Sequence, residues 1–236
     1  MDAPGHPLNL LCAGAAQGLV KALEPRWQAE TGAMLNARFG AVGALTEMLA
    51  AGEPCDVMVV TDAMVDTLAT AGRLDGATRR PLGRVRTGIA VRSGQDRPDV
   101  RTPEALAAAL RAADAIHFPD PVRSTAGIHF AGVLRELGLH EALAAHFVTH
   151  PNGATAMRAL AASTARQPIG CTQVTEILYT PGVLLVGPLP DAFELATTYT
   201  AAVSRRALDA ELAERFVTLL TGSATLALRR VGGFED

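Results

Sequence analysis

Ala115-Ile116-His117-Phe118-Pro119-Asp120-Pro121-Val122-Arg123-Ser124-Thr125-Ala126-Gly127-Ile128-His129 begins as an apolar run and passes through a polar loop. It then enters a stretch with Phe130, Val133, Leu134 and Leu137 at helical spacing. Ala115 to Phe118 reads as a strand and Gly127 to Leu137 as a helix. The loop between them carries Arg123, Ser124 and Thr125. A helix start brings unpaired N–H groups and partial positive charge, hydroxyls add donors, and a guanidinium adds a planar fork. Such a connection suits a carboxylate or another small anion. The plainer alternative is that Ser124 and Thr125 cap the helix while Arg123 is solvated.

The same alternation extends in both directions. Upstream, strands are expected at Leu8 to Cys12, Met34 to Phe39 and Asp56 to Val60, each followed by a helix: Ala16 to Thr31, Leu45 to Ala51 and Ala63 to Ala71. Gly32, Gly52 and Gly72 stop those helices, and Pro25 is expected to kink or restart the first. Thr87 to Val91 is another strand. A helix then runs to about Ala112, with Thr102 as its N-cap and Pro103 at its first position. Downstream, the expected helices are His140 to Ala145, Ala154 to Ala162, Val174 to Leu178, Leu208 to Thr221 and Ala224 to Arg230. The strands there are Phe147 to Thr149, Ile169 to Thr172, Val183 to Val186 and Thr197 to Val203. Continuous apolar strands each followed by a helix point to α/β architecture with parallel sheet covered on both faces.

Composition narrows the function classes. Hydrophobic residues make up 49% of 236 residues but aromatics only 4%, so the core is built mainly from Ala, Val and Leu. The net charge of −3 is spread along the chain, with no basic stripe for nucleic acid and no acidic tail. No run reaches the roughly 18 apolar residues that would span a bilayer, so direct membrane insertion is not expected. The start, Met1 to Pro7, has no basic n-region and no long apolar stretch. It reads as lacking a secretory signal, which implies a cytoplasmic protein as written, or a periplasmic one whose signal was removed. Cys12, Cys55 and Cys171 are far apart and lie in or beside apolar runs, without metal-ligand spacing. They read as buried small hydrophobes.

Phosphate-loop, dinucleotide, nucleophile-elbow and HExxH signatures are all absent, and neither a cofactor nor a metal is implied. Two more strand-to-helix loops resemble that at Arg123 in their capacity to expose backbone donors. They are Gly14-Ala15-Ala16-Gln17 and Gly40-Ala41-Val42-Gly43, and the alternative for both is a tight turn with small residues for packing. Ligands in open α/β sheets bind at the C-terminal strand edge where such loops gather. Thr172 and Glu176 follow another strand end, and Glu176 is equally suited to a first-turn helix position. His117 and His129 flank the Arg123 loop, with structural roles as the alternative.

The chain resembles the type 2 periplasmic-binding-protein group, and within it relatives of the molybdate-binding proteins of ABC importers. The resemblance is carried by Leu45-Thr46-Glu47-Met48-Leu49-Ala50-Ala51-Gly52-Glu53-Pro54-Cys55-Asp56-Val57, by Ala126-Gly127-Ile128 onward to Gly138, by Arg86-Thr87-Gly88-Ile89-Ala90-Val91 and by Gln167-Pro168-Ile169-Gly170. It implies a two-lobed α/β fold with mainly parallel sheets and a hinge of two crossings. Residues 1–82 plus 197–236 would form one lobe and 83–196 the other, with the ligand in the cleft. Molybdate binders use serine hydroxyls from the first two loops and a late tyrosine. Here those positions read Gly14-Ala15-Ala16, Gly40-Ala41-Val42 and about Gln173, while Arg86 and Arg123 add charge. The expected ligand is therefore a small organic anion, a di- or tricarboxylate rather than molybdate, held by Gly14 to Gln17, Ala41, Val42, Arg86, Arg123, Ser124, Thr125, Thr172 and Gln173. An ABC permease is implied as partner only if the protein is exported. Aconitate isomerase belongs to the same wider group, so a cofactor-free isomerase of a small carboxylate is the alternative. His117, His129 or Glu176 would then be its base.

Overall fold

The apolar runs assemble into sheet and the amphipathic runs into covering helices, as seen in a computed structural model that describes residues 6–236. Part of the reading of Met1 to Pro7 falls on residues 1–5, outside the described residues. In chain order the elements are β1 (Leu8–Ala13), α1 (Gln17–Thr31), β2 (Leu35–Gly40), α2 (Val42–Ala50), β3 (Val57–Thr61), α3 (Asp62–Thr70), β4 (Arg80–Arg92) and α4 (Pro103–Ala112). There follow β5 (Ala115–Pro119), α5 (Thr125–Glu136), β6 (Phe147–His150), α6 (Gly153–Ala161), β7 (Pro168–Gln173) and α7 (Val174–Tyr179). The chain ends with β8 (Val183–Pro188), β9 (Ala196–Val203), α8 (Ala210–Thr221) and α9 (Leu226–Val231). It divides into two compact units, Met1–Arg84 with Thr197–Asp236, and Val85–Ala196.

In the first unit, β1 lies between β2 and β3, parallel to both, and β9 returns antiparallel on the far side of β3. β1 is buried along its whole length, which explains a strand without polar alternation. Trp27 of α1 meets Phe216 of α8 edge to face at 5.0 Å, joining helices from the two ends of the chain. Asp56 joins the same stretches by hydrogen bonds. Its Oδ2 accepts from the Asn9 backbone N–H at 2.7 Å and from Asn9 Nδ2 at 2.9 Å, and its Oδ1 accepts from the Leu208 N–H at 2.8 Å. Asn9 in turn accepts from Asn36 Nδ2 at 2.9 Å, so one network crosses β2, β1, β3 and the segment after β9.

The second unit orders its strands β8-β4-β7-β5-β6. β5 is parallel to β6 and β7, whereas β4 is antiparallel to β7 and β8. Alternate residues feed two separate cores. Ile89, Val91, Ile169, Cys171 and Phe118 pack with Phe130 and Leu134 of α5 and Leu106 and Leu110 of α4. Ala90 packs on the other face with Met157 and Leu160 of α6 and Ile177 of α7.

Several expectations need correction. The helix expected at His140 to Ala145 is a set of turns ending in a 3-10 turn at Ala144–His146, because too few apolar positions are available to fix a longer helix. Pro25 neither stops nor restarts α1, which continues to Thr31. The strand expected at Thr87 begins at Arg80, with Pro81 near its exposed start, where a missing donor is tolerated. The first α8 residue is Ala210 rather than Leu208, since Asp209 caps it through the Leu212 N–H. The sheets read as mainly parallel from the sequence, and the antiparallel pairs are those of β9 with β3 and of β4 with β7 and β8.

Asp56→Ala is expected to lower the unfolding free energy by about 3 kcal/mol, because it leaves the two buried Asn9 donors and the part-buried Leu208 N–H without their acceptor. A urea midpoint within error of the wild type would show that this network is not what secures the returning chain.

Candidate functional site

Helix starts fall into two groups. α4, α6 and α8 are closed by the side chains of Thr102, Asn152 and Asp209, each accepting from an N–H in the first turn. α1, α2, α3, α5, α7 and α9 have no side-chain cap. Of these, α1, α2 and α5 follow the C-terminal ends of β1, β2 and β5, at the loops that the sequence nominates. Gly14, Ala15 and Ala16 form a buried 3-10 turn before α1, with Gln17 half-buried, and Ala41 and Val42 are buried at the start of α2. None of these except Gln17 brings a polar side chain, so the two loops offer chiefly backbone donors. The third strand end of this unit is closed by its own charges. Asp62 pairs with Arg79 and accepts from Thr200 Oγ1, and the guanidinium holds its carboxyl below the usual range.

The loop before α5 is set by Asp120. Its Oδ1 accepts from the Val122 N–H at 2.7 Å and the Arg123 N–H at 3.0 Å, and its carbonyl accepts from the Ser124 N–H at 3.1 Å. Gly127 is required where this backbone crosses the first turn, since a Cβ there would lie 2.2 Å from the Asp120 carbonyl oxygen. Ser124 occupies the N-cap position and is buried, yet its hydroxyl makes no cap bond. The simple capping role considered for it is therefore not the one observed. Arg123 is exposed and Thr125 half-buried.

Across the sheet, Thr87 of β4 is the register partner of Gln173 at the end of β7. Paired residues share a face, and sequence parity puts Thr87 and Gln173 on the face of Ile89 and Cys171, where α5 packs. Thr87 is 1% exposed, Gln173 2% and Thr175, in the first turn of α7, 4%. Thr87 Oγ1, Thr175 Oγ1 and both Gln173 Oε1 and Nε2 lack any hydrogen-bond partner. Each such buried group costs about 1–3 kcal/mol unless something satisfies it. Thr87 and Thr175 were not nominated from the sequence, because a lone threonine in an apolar strand or helix start is ordinary there. Arg86 is half-buried on the preceding β4 position.

Other nominated residues lie on the opposite face. His117 pairs in register with Gly170, where a Cβ would meet Met157 and Leu160, so His117 points toward α6. Its Nδ1 is 3.2 Å from His150 Nε2 in a stacked ring pair, while its Nε2 is buried without a partner. Thr172 Oγ1 donates to Glu176 Oε2 at 2.5 Å. Both crowd Gly153, where a Cβ would lie 1.9 Å from Glu176 Oε2 and 2.0 Å from Thr172 Oγ1. Glu176 also accepts from the Ala154 and Gln173 backbone, so it serves the start of α6. His129 is carried by α5, and its Nε2 donates to the Phe193 carbonyl at 2.8 Å. Among the described residues no group of three His, Cys, Asp or Glu side chains is placed to hold a metal, and no helix is long and apolar enough to cross a membrane.

The ionisable groups facing α6 predict opposite pH dependences. Burial, and then His150, push His117 down to about 4, and burial also lowers His150. Unfolded histidine titrates near 6.5, so between 6.5 and about 4 the unfolded chain takes up protons that the fold resists, and stability falls as pH falls. Burial raises Glu176, so its contribution instead declines as pH rises above 4.5 toward its folded value. Denaturant unfolding of His117→Asn should show a shallower loss of stability from pH 6.5 to 4 than the wild type. An unchanged slope would refute the assignment to His117.

Comparison with known proteins identifies the fold and the family. The family model for bacterial extracellular solute-binding proteins matches residues 8–235. An aconitate isomerase from Pseudomonas sp. is 26% identical over 226 residues, spanning 92% of this chain and 83% of that protein. The periplasmic molybdate-binding protein of Azotobacter vinelandii superposes with a TM-score of 0.80 at 18% identity, over 97% of this chain and 99% of that one. The sulfate-binding protein SubI of Mycobacterium tuberculosis H37Rv gives 0.74 at 18% identity, over 98% and 86%. The structural likenesses establish the type 2 binding-protein fold. With the family model spanning almost every residue from β1 to the C-terminus, the chain belongs to the bacterial extracellular solute-binding proteins.

Proposed function

We propose that this protein binds a small organic anion, a di- or tricarboxylate, and delivers it to a membrane importer from outside the inner membrane. The observation that carries this reading is the group of partnerless polar atoms on Thr87, Gln173 and Thr175 at one end of the second unit's sheet. A ligand that hydrogen-bonds them removes their desolvation cost, which favours binding. The uncapped start of α5, with Ser124, Thr125 and Arg123 on its loop, supplies donors and charge for carboxylate oxygens. Arg86, the β4 position next to Thr87, stands on the opposite face by strand parity and is left out of this group. Thr172 belongs to the same strand end, but its hydroxyl is committed to Glu176. In the first unit, Gly14 to Gln17, Ala41 and Val42 offer backbone donors at their own strand ends. The lack of hydroxyls on Gly14-Ala15-Ala16 and Gly40-Ala41-Val42 favours carboxylates over molybdate.

A second reading is supported by the aconitate isomerase relative, whose similarity extends over 92% of this chain. In it the protein moves a proton between two carbons of a small carboxylate, with a side-chain base and with cations on the carboxylates. Of the three candidate bases, His117 and Glu176 face α6, whereas His129 is carried by α5 beside the uncapped loop. His129 is the base this reading favours.

A thermal-shift panel of carboxylates, both aconitate isomers, molybdate, tungstate and sulfate tests the proposal. A ligand at a hundredfold excess over its Kd adds about 2.7 kcal/mol, or roughly 5–10 °C in Tm for a chain of this length. Arg123→Ala should weaken the best carboxylate about tenfold. Stabilisation by molybdate alone would overturn the carboxylate reading. Proton NMR of each bound acid over time separates the two functions: an unchanged acid supports a receptor. Conversion that disappears in His129→Gln supports the isomerase.

A further inference from the structure

The partnerless atoms also specify what the ligand must carry. Gln173 is 2% exposed, and both ends of its amide lack partners. Nε2 needs an acceptor, which a carboxylate oxygen supplies. Oε1 needs a donor, and a fully ionised oxyanion or unsubstituted carboxylate has none. This requirement does not depend on which way the amide is oriented, because neither of its ends is satisfied. Thr87, the register partner of Gln173, and Thr175, two residues beyond it, can each donate or accept. They complement a group that does both.

Resting on the anion-binding reading above, we propose that the ligand is a hydroxycarboxylic acid whose hydroxyl is recognised by Gln173 with Thr87 and Thr175. An ammonium group would also donate to Oε1. However, Thr87, Gln173 and Thr175 are neutral, and the nearest carboxylate in sequence, Glu176, is engaged by Thr172 and by the start of α6. A buried ammonium there would lose its hydration without gaining a counter-charge from any of these four residues. A hydroxyl meets no such penalty. A ligand lacking the hydroxyl leaves a buried acceptor unpaired, and sites built around such an acceptor discriminate strongly against it.

The test is calorimetric titration of the whole protein with two matched sets: malate, aspartate and succinate, then citrate and tricarballylate. In at least one set the hydroxy acid should bind at least about fivefold more tightly than its deoxy counterpart. Malate should also bind more tightly than aspartate. In Gln173→Met that preference should fall to near unity, with a melting temperature in the absence of ligand equal to or above that of wild type. Thr87→Val provides a second variant, expected to reduce the preference while leaving the amide in place. Binding of deoxy acids as tightly as hydroxy acids would overturn this inference and leave the anion reading intact. The same holds if the preference survives in Gln173→Met or if aspartate binds best. Failure of all five acids to bind would overturn the carboxylate reading itself.

Discussion

The first unit depends on pinning a chain that leaves it at Arg84 and re-enters at Thr197. β9 pairs antiparallel with β3 over Val57–Thr61, and Asp56 adds to that join by holding the start of β1 and the segment after β9 with the two oxygens of one carboxylate. Its own backbone extends the same join, with its N–H donating to Asn9 and its carbonyl accepting from Ser204. A charged acceptor surrounded by backbone donors is stronger than a neutral one, and it tolerates burial because the donors replace water. Arg229 plays a related part at the end of α8, where its guanidinium donates to the Leu220 and Gly222 carbonyls and to Thr225 Oγ1.

In the second unit, the period of two along β-strands separates two kinds of polar chemistry. One face of β7 presents Gly170 and Thr172, and beneath α6 most polar groups find protein partners: threonine to glutamate, glutamate to helix start, and His117 Nδ1 to His150, with His117 Nε2 alone left over there. The other face ends at Gln173, where the polar groups find no protein partners. Adjacent residues on one strand therefore have opposite roles. Thr172 and Glu176 are structural, and their close contact with Gly153 leaves no space for a ligand. Gln173 retains its hydrogen-bonding capacity.

Much of this arrangement can be read in the sequence where local physics decides it. The Val-rich run before Asp62 could only be buried strand, Thr102-Pro103 marks a helix start by cap and by fixed φ, and the loop after Phe118 is visible from its residue types. What could not be read there depends on distant partners. Pro81 argues against a strand until its exposed position at the start of β4 is known. His140 to Ala145 lacks the packing that would have made it a helix. The position of Gln173 is legible as a strand end, but its unsatisfied amide is not, because satisfaction depends on which residues the sheet brings alongside. Thr87 and Thr175 escape notice for the same reason. The face that a histidine presents is equally a matter of register, which explains why His117 and His129 look equivalent in sequence and lie in different surroundings in the fold.

The discontinuity of the first unit has a consequence during synthesis. β3 has β1 on one side and β9 on the other, so until Thr197 to Val203 has emerged from the ribosome one edge of Val57-Met58-Val59-Val60 has no strand beside it. The inserted second unit is complete first and can fold while the earlier half of the first still waits. For that interval a short, flat, uncharged strand edge is offered to any neighbouring chain, which is the geometry that invites intermolecular pairing. The rate of elongation through the inserted segment thus sets how long that edge stays open, and slowing translation there is expected to increase aggregation without altering one contact of the finished fold.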